Sequence, residues 1–147
     1  MKIIYSPKYE VDIGEHVFRT EKYRMIHDRI IRDNVFKEED FILPHTPSDD
    51  DVKLVHTSDY VDRFKGGCLS AKEVRQMELP YTMDVIETAY MWVGGTIDAA
   101  LRSLDDGICV HLGGGFHHAF ADHGEGFCAL NDIAVAVRKL QKLGKIK

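Results

Sequence analysis

Apolar residues recur every three or four positions over residues 82–104, and this period predicts the longest helix of the chain. The positions that keep the helical spacing are Val85, Ile86, Ala89, Tyr90, Val93, Ile97, Ala100, Leu101 and Leu104. Gly94 and Gly95 lie inside this run, where a glycine costs about 1 kcal/mol relative to alanine. We therefore expect the glycine pair to permit a close approach by another backbone.

Side chains that can cap a helix precede four further amphipathic segments. Ser70 and Glu73 have the spacing of a capping box, and Gly144 is suited to end the last helix. The predicted helices are residues 20–35 with Thr20 as the N-cap, residues 57–66, a short helix after Ser70, and residues 131–143.

Three consecutive aspartates, residues 49–51, follow Ser48 and a connector at residues 43–47. Carboxylates stabilise the N-terminus of a helix through its dipole, so the run favours a short helix at this point. A cation site formed by the three carboxylates is the alternative interpretation.

Two short apolar segments have the character of strands. Residues 2–5 are bounded by a turn at Ser6-Pro7, and residues 108–112 form an apolar run without strict alternation. Such a run is typical of a parallel strand that is covered on both faces. The second strand lies between two helices, so the order predicts a layered α/β fold with a mostly parallel sheet. Gly113, Gly114 and Gly115 follow its carboxyl end, where open α/β sheets bind ligands.

Composition indicates one globular domain: 44% of the 147 residues are apolar, 29% are charged, and the formal net charge is −5. The sequence has no basic cluster, which argues against direct binding of nucleic acid. It has no apolar run of about 20 residues and no signal-peptide core, so we expect no membrane span and a cytoplasmic location. The three cysteines never form a CxxC pair, which favours reduced thiols near the core.

Residues 113–128 carry the densest chemistry, since three of the eight histidines fall between His117 and His123. A dinucleotide-binding loop is one alternative, because Gly113 and Gly115 fit the first half of GxGxxG. His118 replaces the third glycine, however, and no helix begins there.

A zinc cluster is another alternative for this segment, because six side chains carry ligand atoms. They are His117, His118, Asp122, His123, Glu125 and Cys128. Adjacent histidines point apart on extended backbone, so sharing one ion would need an irregular loop. A solvated loop is the third alternative. The glycine run and the later Gly126-Phe127 favour instead a backbone brought close to a ligand.

These motifs resemble the tandem-histidine segment of the zinc-dependent histone deacetylase superfamily, which includes bacterial acetoin-utilisation and acetylpolyamine deacetylases. The matching residues are Gly113-Gly114-Gly115-Phe116-His117-His118-Ala119, Gly126-Phe127-Cys128 and Asn131-Asp132-Ile133-Ala134. Ile4-Tyr5-Ser6-Pro7, Val55-His56-Thr57 and Gly94-Gly95-Thr96 follow the family's order, and Glu15-His16-Val17-Phe18 resembles the class IV branch. The resemblance spans nearly the whole chain.

The resemblance implies a role for each matching residue. His118 would be the general base for zinc-bound water, and His117 its electrostatic and proton-donating partner. Phe127 would line a narrow channel for an acyl-lysine or acylated polyamine substrate, and the Gly126 carbonyl would bind the substrate amide. Histidine suits both proton transfers because this residue type titrates near neutral pH.

The family's Asp-x-Asp-x-His-like strand and its other zinc ligands have no counterpart in this sequence. The resemblance therefore implies that residues 1–147 are the N-terminal half of an arginase/deacetylase-like three-layer α/β/α domain. We expect this chain alone to be inactive and to bind no zinc, and to self-associate or pair with a complementary C-terminal chain. The alternative is a non-catalytic binding or regulatory module that uses the glycine- and histidine-rich loop.

Overall fold

The protein is described by a computed structural model of residues 1–147, and its centre is a parallel sheet of three short strands. They are β1 (Lys2–Ile4), β2 (Phe41–Ile42) and β3 (Cys109–His111), in the order β2-β1-β3. Ile3 lies opposite Phe41 on one side and Val110 on the other. Ile3 and Ile4 point to opposite faces of the sheet and both are buried, so both faces of β1 are covered. The predicted layered α/β arrangement is confirmed.

Six α-helices surround the sheet. They are α1 (Glu21–Arg32), α2 (Asp49–Val52), α3 (Ser58–Lys65), α4 (Ala71–Met77), α5 (Met83–Asp106) and α6 (Asp132–Lys142), with 3-10 turns at Pro7–Tyr9 and Glu38–Asp40. The side chain preceding each helix from α2 to α6 accepts a hydrogen bond from a backbone N–H of the first turn; these residues are Ser48, Thr57, Ser70, Thr82 and Asn131. The predicted caps at Thr57, Ser70 and Ser48 are therefore confirmed.

The acidic run at residues 49–51 begins α2, as the dipole interpretation predicts. Asp49 binds Lys65 and the Tyr90 hydroxyl, while the buried Asp51 binds Lys139 of α6. The two carboxylates are directed to different partners, so the cation-site alternative does not fit.

Four local predictions were wrong. The Thr20 side chain does not cap α1, because its hydroxyl donates to the Val11 carbonyl at 2.7 Å, and α1 ends at Arg32 rather than residue 35. The strand at residues 108–112 is not buried on both faces: β3 is half-buried, and Ile108 is 55% exposed. The reason is topological, because β3 forms an edge of the sheet. Cys68 is exposed rather than near the core.

Helix α5 organises the core by packing against β1, β3 and α6. A Cβ atom added to Gly94 would lie only 1.8 Å from the His45 carbonyl oxygen, which confirms the predicted close backbone approach. No helix combines the length and apolar character that crossing a bilayer would require.

Candidate active site at the tandem-histidine loop

The loop between β3 and α6 carries the two histidines and is held by the first residues of α6. Both carboxylate oxygens of Asp132 accept backbone hydrogen bonds, from Gly115 N at 3.0 Å and Phe116 N at 2.7 Å. The Asn131 amide donates to the carbonyls of His117 and Ala119, each at 3.3 Å. Four hydrogen bonds therefore fix the backbone on both sides of the histidine pair.

The rings of His117 and His118 lie side by side, with centroids 4.3 Å apart and planes inclined by 38°. Both residues are exposed. His117 Nδ1 donates to the Gly115 carbonyl at 2.9 Å, which leaves Nε2 of that ring free to face a ligand. Gly115 has a φ of +106°, so the loop departs from the extended backbone on which adjacent side chains point apart.

Gly126 and Phe127 lie next to this pair. A Cβ atom added to Gly126 would come within 3.5 Å of His118 Cβ and Cγ. Both residues have positive φ angles, 54° and 66°, and Phe127 N donates to the Met77 carbonyl at 2.9 Å. The sequence-predicted substrate residues are thus brought together with His118 by a strained turn tied to the end of α4.

Aromatic rings surround this side of the loop. Phe127 meets the edge of His16 at 4.8 Å and the Phe18 ring at 6.0 Å between centroids. Phe116, which precedes the histidines, stacks on the buried Trp92 at 4.3 Å. These contacts place an apolar wall beside the histidine pair.

A buried histidine, His56, supports the loop from the segment between α2 and α3. His56 Nε2 accepts the Asn131 backbone N–H at 3.0 Å. Burial lowers the pKa of His56, so the neutral ring that can accept this bond is favoured. Thr57 N also binds the Ala121 carbonyl at 2.8 Å, which anchors the far side of the loop.

A part-buried chain of side chains beneath the loop was not predicted as part of the site. It consists of Tyr9, His111, Thr96 and Asp132, and its members come from four separate segments. The pKa of His111 is lowered to about 4 because burial disfavours the imidazolium. The family resemblance includes Thr96 and Asp132 within longer motifs but gives neither a role, and no local pattern singles out Tyr9 or His111.

The ligand-bearing residues of the loop are not gathered around one point. His123 stacks on Phe120 and its Nδ1 lies 2.7 Å from Asp122 Oδ1. Cys128 is buried, its thiol pKa is raised by burial, and its S–H points to the Gly126 carbonyl. Nowhere in residues 1–147 do three His, Cys, Asp or Glu side chains converge as metal ligands would. A zinc site contained within this loop therefore does not fit the structure.

The comparisons with known proteins agree on one family. The histone deacetylase domain matches residues 16–147. An uncharacterised protein of Picosynechococcus sp. is 38% identical over 143 residues, covering 97% of this chain and 48% of that protein. The acetoin utilization protein AcuC of Bacillus subtilis is 36% identical over 152 residues, covering 95% and 39%. Histone deacetylase 2 of Arabidopsis thaliana is 28% identical, covering 93% and 38%. This chain thus spans less than half the length of these relatives.

Solved structures agree on the fold. An HDAC homolog from Aquifex aeolicus matches 97% of this chain with a TM-score of 0.79 and 23% identity, over 41% of its own length. The HD domain of HDA15 matches 98% with a TM-score of 0.75 and 21% identity. At these identities the likeness concerns the fold alone, and it confirms the predicted partial arginase/deacetylase-like α/β domain.

Proposed function

Because this chain belongs to the histone deacetylase family, we propose that it supplies the tandem-histidine half of a zinc-dependent deacetylase or deacylase. The reaction is hydrolysis of the amide in an acyl-lysine or a similar acylated amine such as an acylpolyamine. The observation that carries the proposal is the fixed pair of imidazoles, His117 and His118, at the carboxyl end of a parallel strand.

His118 is the general base and takes a proton from the attacking water. Its position against Gly126 supports this role, because the substrate amide lies there in the proposed complex. His117 stabilises the charge that develops and donates a proton to the leaving amine. Its Nδ1 is already engaged by Gly115 O, so Nε2 is the nitrogen that exchanges the proton.

Gly126 and Phe127 form the substrate side of the site in this proposal. The Gly126 carbonyl accepts the substrate amide N–H, and the Phe127 ring packs against the acyl-lysine stem. The aromatic contacts of Phe127 with His16 and Phe18 support a rigid apolar wall at this place.

The residues of this chain do not form a zinc site by themselves, since a catalytic zinc needs about three protein ligands. We therefore assign the ligands to sequence outside residues 1–147 and derive no step through the metal. The three free cysteines support the proposed cytoplasmic location.

The first test is the nucleotide sequence beyond Lys147 and the activity of its product. We expect the reading frame to continue into an Asp-x-Asp-x-His-like strand. The complete product should then hydrolyse an acetyl-lysine peptide, with loss of activity on chelation. Residues 1–147 alone should show no such turnover. A frame that stops here, with an inactive product that still binds a ligand through the loop, would favour the binding-module alternative.

A second test compares two histidines of the loop in that complete product. His118→Ala should reduce kcat by roughly 10²–10⁴-fold, the usual contribution of a general base. His123→Ala is the matched control, because His123 packs on Phe120 and contacts acidic neighbours rather than the histidine pair. Equal losses in the two variants would show that the base is assigned to the wrong residue.

A further inference from the structure

We propose that the part-buried chain Tyr9–His111–Thr96–Asp132 positions the histidine pair, and that its four members are positioning residues rather than catalytic ones. Asp132 is completely buried at the first position of α6. It is the point where this chain meets the backbone of Gly115 and Phe116, immediately before the two histidines. The proposal rests on the proposed function only for the task that the histidines perform.

The chemistry of the four groups fixes the direction of every hydrogen bond. Both oxygens of Asp132 act as acceptors, so the Thr96 hydroxyl donates to Asp132 Oδ2. The Thr96 oxygen then accepts from His111 Nδ1 at 2.9 Å, which leaves His111 Nε2 unprotonated. Nε2 accepts the Tyr9 hydroxyl at 2.7 Å. All donors therefore point towards Asp132, and no polar group of the chain competes with another.

Three glycines pack closely against this chain of hydrogen-bonded side chains. A Cβ atom on Gly95 would lie 2.3 Å from His111 Nε2, and one on Gly114 would lie 2.8 Å from His111 Nδ1. A Cβ atom on Gly113 would lie 2.5 Å from the Tyr9 ring. The glycines before the histidines thus allow the loop to pass directly over the four side chains. This close passage leaves the side chains of Tyr9 and His111 little freedom to move.

Gly115 transmits the position of Asp132 to the histidine pair. Its N–H is bound by Asp132 Oδ2, and its carbonyl accepts both the backbone N–H and Nδ1 of His117. The ring of His117 and its Nδ1–H tautomer are therefore set by a peptide unit that Asp132 holds. Loss of the Asp132 acceptor should release the ring before it unfolds the domain.

The test uses Asp132→Asn in residues 1–147 and does not require enzymatic activity. The amide of Asn keeps the volume but replaces one of the two carboxylate oxygens with an NH2 donor, so Gly115 N–H and Phe116 N–H must compete for the single oxygen that remains. Hydrogen exchange of Gly115 and Phe116 N–H should accelerate about 10- to 100-fold relative to Val93 in α5, which reports overall stability. Imidazole ¹⁵N shifts of neutral His117 should move from mainly Nδ1–H towards an even tautomer mixture.

Asp51→Asn is the matched control, because Asp51 is also a buried carboxylate near a helix N-terminus but binds Lys139. It should change the exchange of Gly115, Phe116 and Val93 together and leave the His117 tautomer unchanged. If Asp132→Asn does the same, the chain has only a structural role and the proposal is wrong.

A milder pair of variants keeps the proposal testable if Asp132→Asn fails to fold. Thr96→Val preserves the shape but removes the hydroxyl that links His111 to Asp132. It should accelerate exchange at Gly115 about tenfold relative to Val93 and broaden the tautomer distribution of His117. Thr96→Ser should restore both values, whereas equal behaviour of the Val and Ser variants would overturn the proposal. Hydrogen exchange and the His117 tautomer report how the loop is held and do not depend on catalysis. If both change as expected but the complete enzyme is inactive, the proposed function is wrong and the positioning role stands.

Discussion

Replacing Gly94 by alanine reverses the usual effect of this substitution in a helix. In an unobstructed helix interior, alanine would stabilise α5 by about 1 kcal/mol relative to glycine. At Gly94 the new Cβ atom would lie 1.8 Å from the His45 carbonyl oxygen, whereas ordinary contacts begin at 3.4 Å. The connector that contains His45 or the helix must therefore move, and the obstruction is backbone rather than a flexible side chain.

The movement also strains the bonds that tie the connector to α5. His45 N and Nδ1 donate to the Asp98 carboxylate at 2.9 and 2.8 Å, one turn after Gly94. Overpacking costs typically 1–3 kcal/mol, and a weakened hydrogen bond costs about 0.5–1.5 kcal/mol more. After the propensity gain is subtracted, we expect Gly94→Ala to lower the free energy of unfolding by about 2 kcal/mol. At about 2–4 °C per kcal/mol for a chain of this size, Tm should fall by roughly 4–8 °C.

Urea unfolding measures the change in the free energy of unfolding. It can be followed by the fluorescence of Trp92, the only tryptophan, which lies in α5. Asp98→Ala provides the control, because it removes the bonds to His45 without adding a Cβ atom. The double variant should be less destabilised than the two single effects combined, since the same connector is released in each. A Gly94→Ala chain that gains about 1 kcal/mol would refute the close approach.

Three further predictions concern pH and assembly. The pKa of His111 is about 4 in the fold and 6.5 without burial, so the unfolded chain binds more protons between these pH values. The free energy of unfolding should therefore be at its full value above pH 6.5 and fall by roughly 3 kcal/mol down to pH 4. Urea unfolding should show a smaller fall in His111→Gln. The pKa of Glu73 is lowered to about 2 by hydrogen bonds from the Ser70 side chain and backbone and from Arg63. The contribution of Glu73 to the stability of the fold is therefore present above pH 4.5 and lost towards pH 2. Glu73→Gln should lower Tm by about 2–4 °C at pH 7 and leave it unchanged at pH 2. The outer edge of β3 is unpaired, and Ile133 and Val137 of α6 are exposed. Sedimentation at micromolar concentration should therefore show that the chain self-associates. A monomer that does not associate would contradict this expectation.

Local sequence determined the helices because their ends depend on atoms a few residues apart. The Ser70 side chain accepts from Glu73 N, and the Thr57 side chain accepts from Tyr60 N, so each cap is contained in four residues. Thr20 shows where this reasoning stops. Its hydroxyl has a better partner in the Val11 carbonyl, and that competition is set by how the preceding segment folds back on α1.

The sequence also identified His117, His118, Gly126 and Phe127 as a group, since their types and order match a known family. It could not determine how they meet. On extended backbone the two histidines would point apart, yet their rings lie 4.3 Å from each other. That arrangement depends on the positive φ of Gly115 and on Asn131, which are shaped by contacts outside the loop.

Only the tertiary structure revealed the part-buried chain beneath the loop. Tyr9 and His111 are separated by 102 residues along the sequence, and Thr96 and Asp132 by 36. Hydrogen bonds between such distant segments leave no periodic or neighbouring pattern, because each partner is chosen by the packing of the sheet against α5 and α6. The sequence therefore indicated which groups are candidates for the chemistry, whereas the packed fold decided which distant side chains contact their backbone.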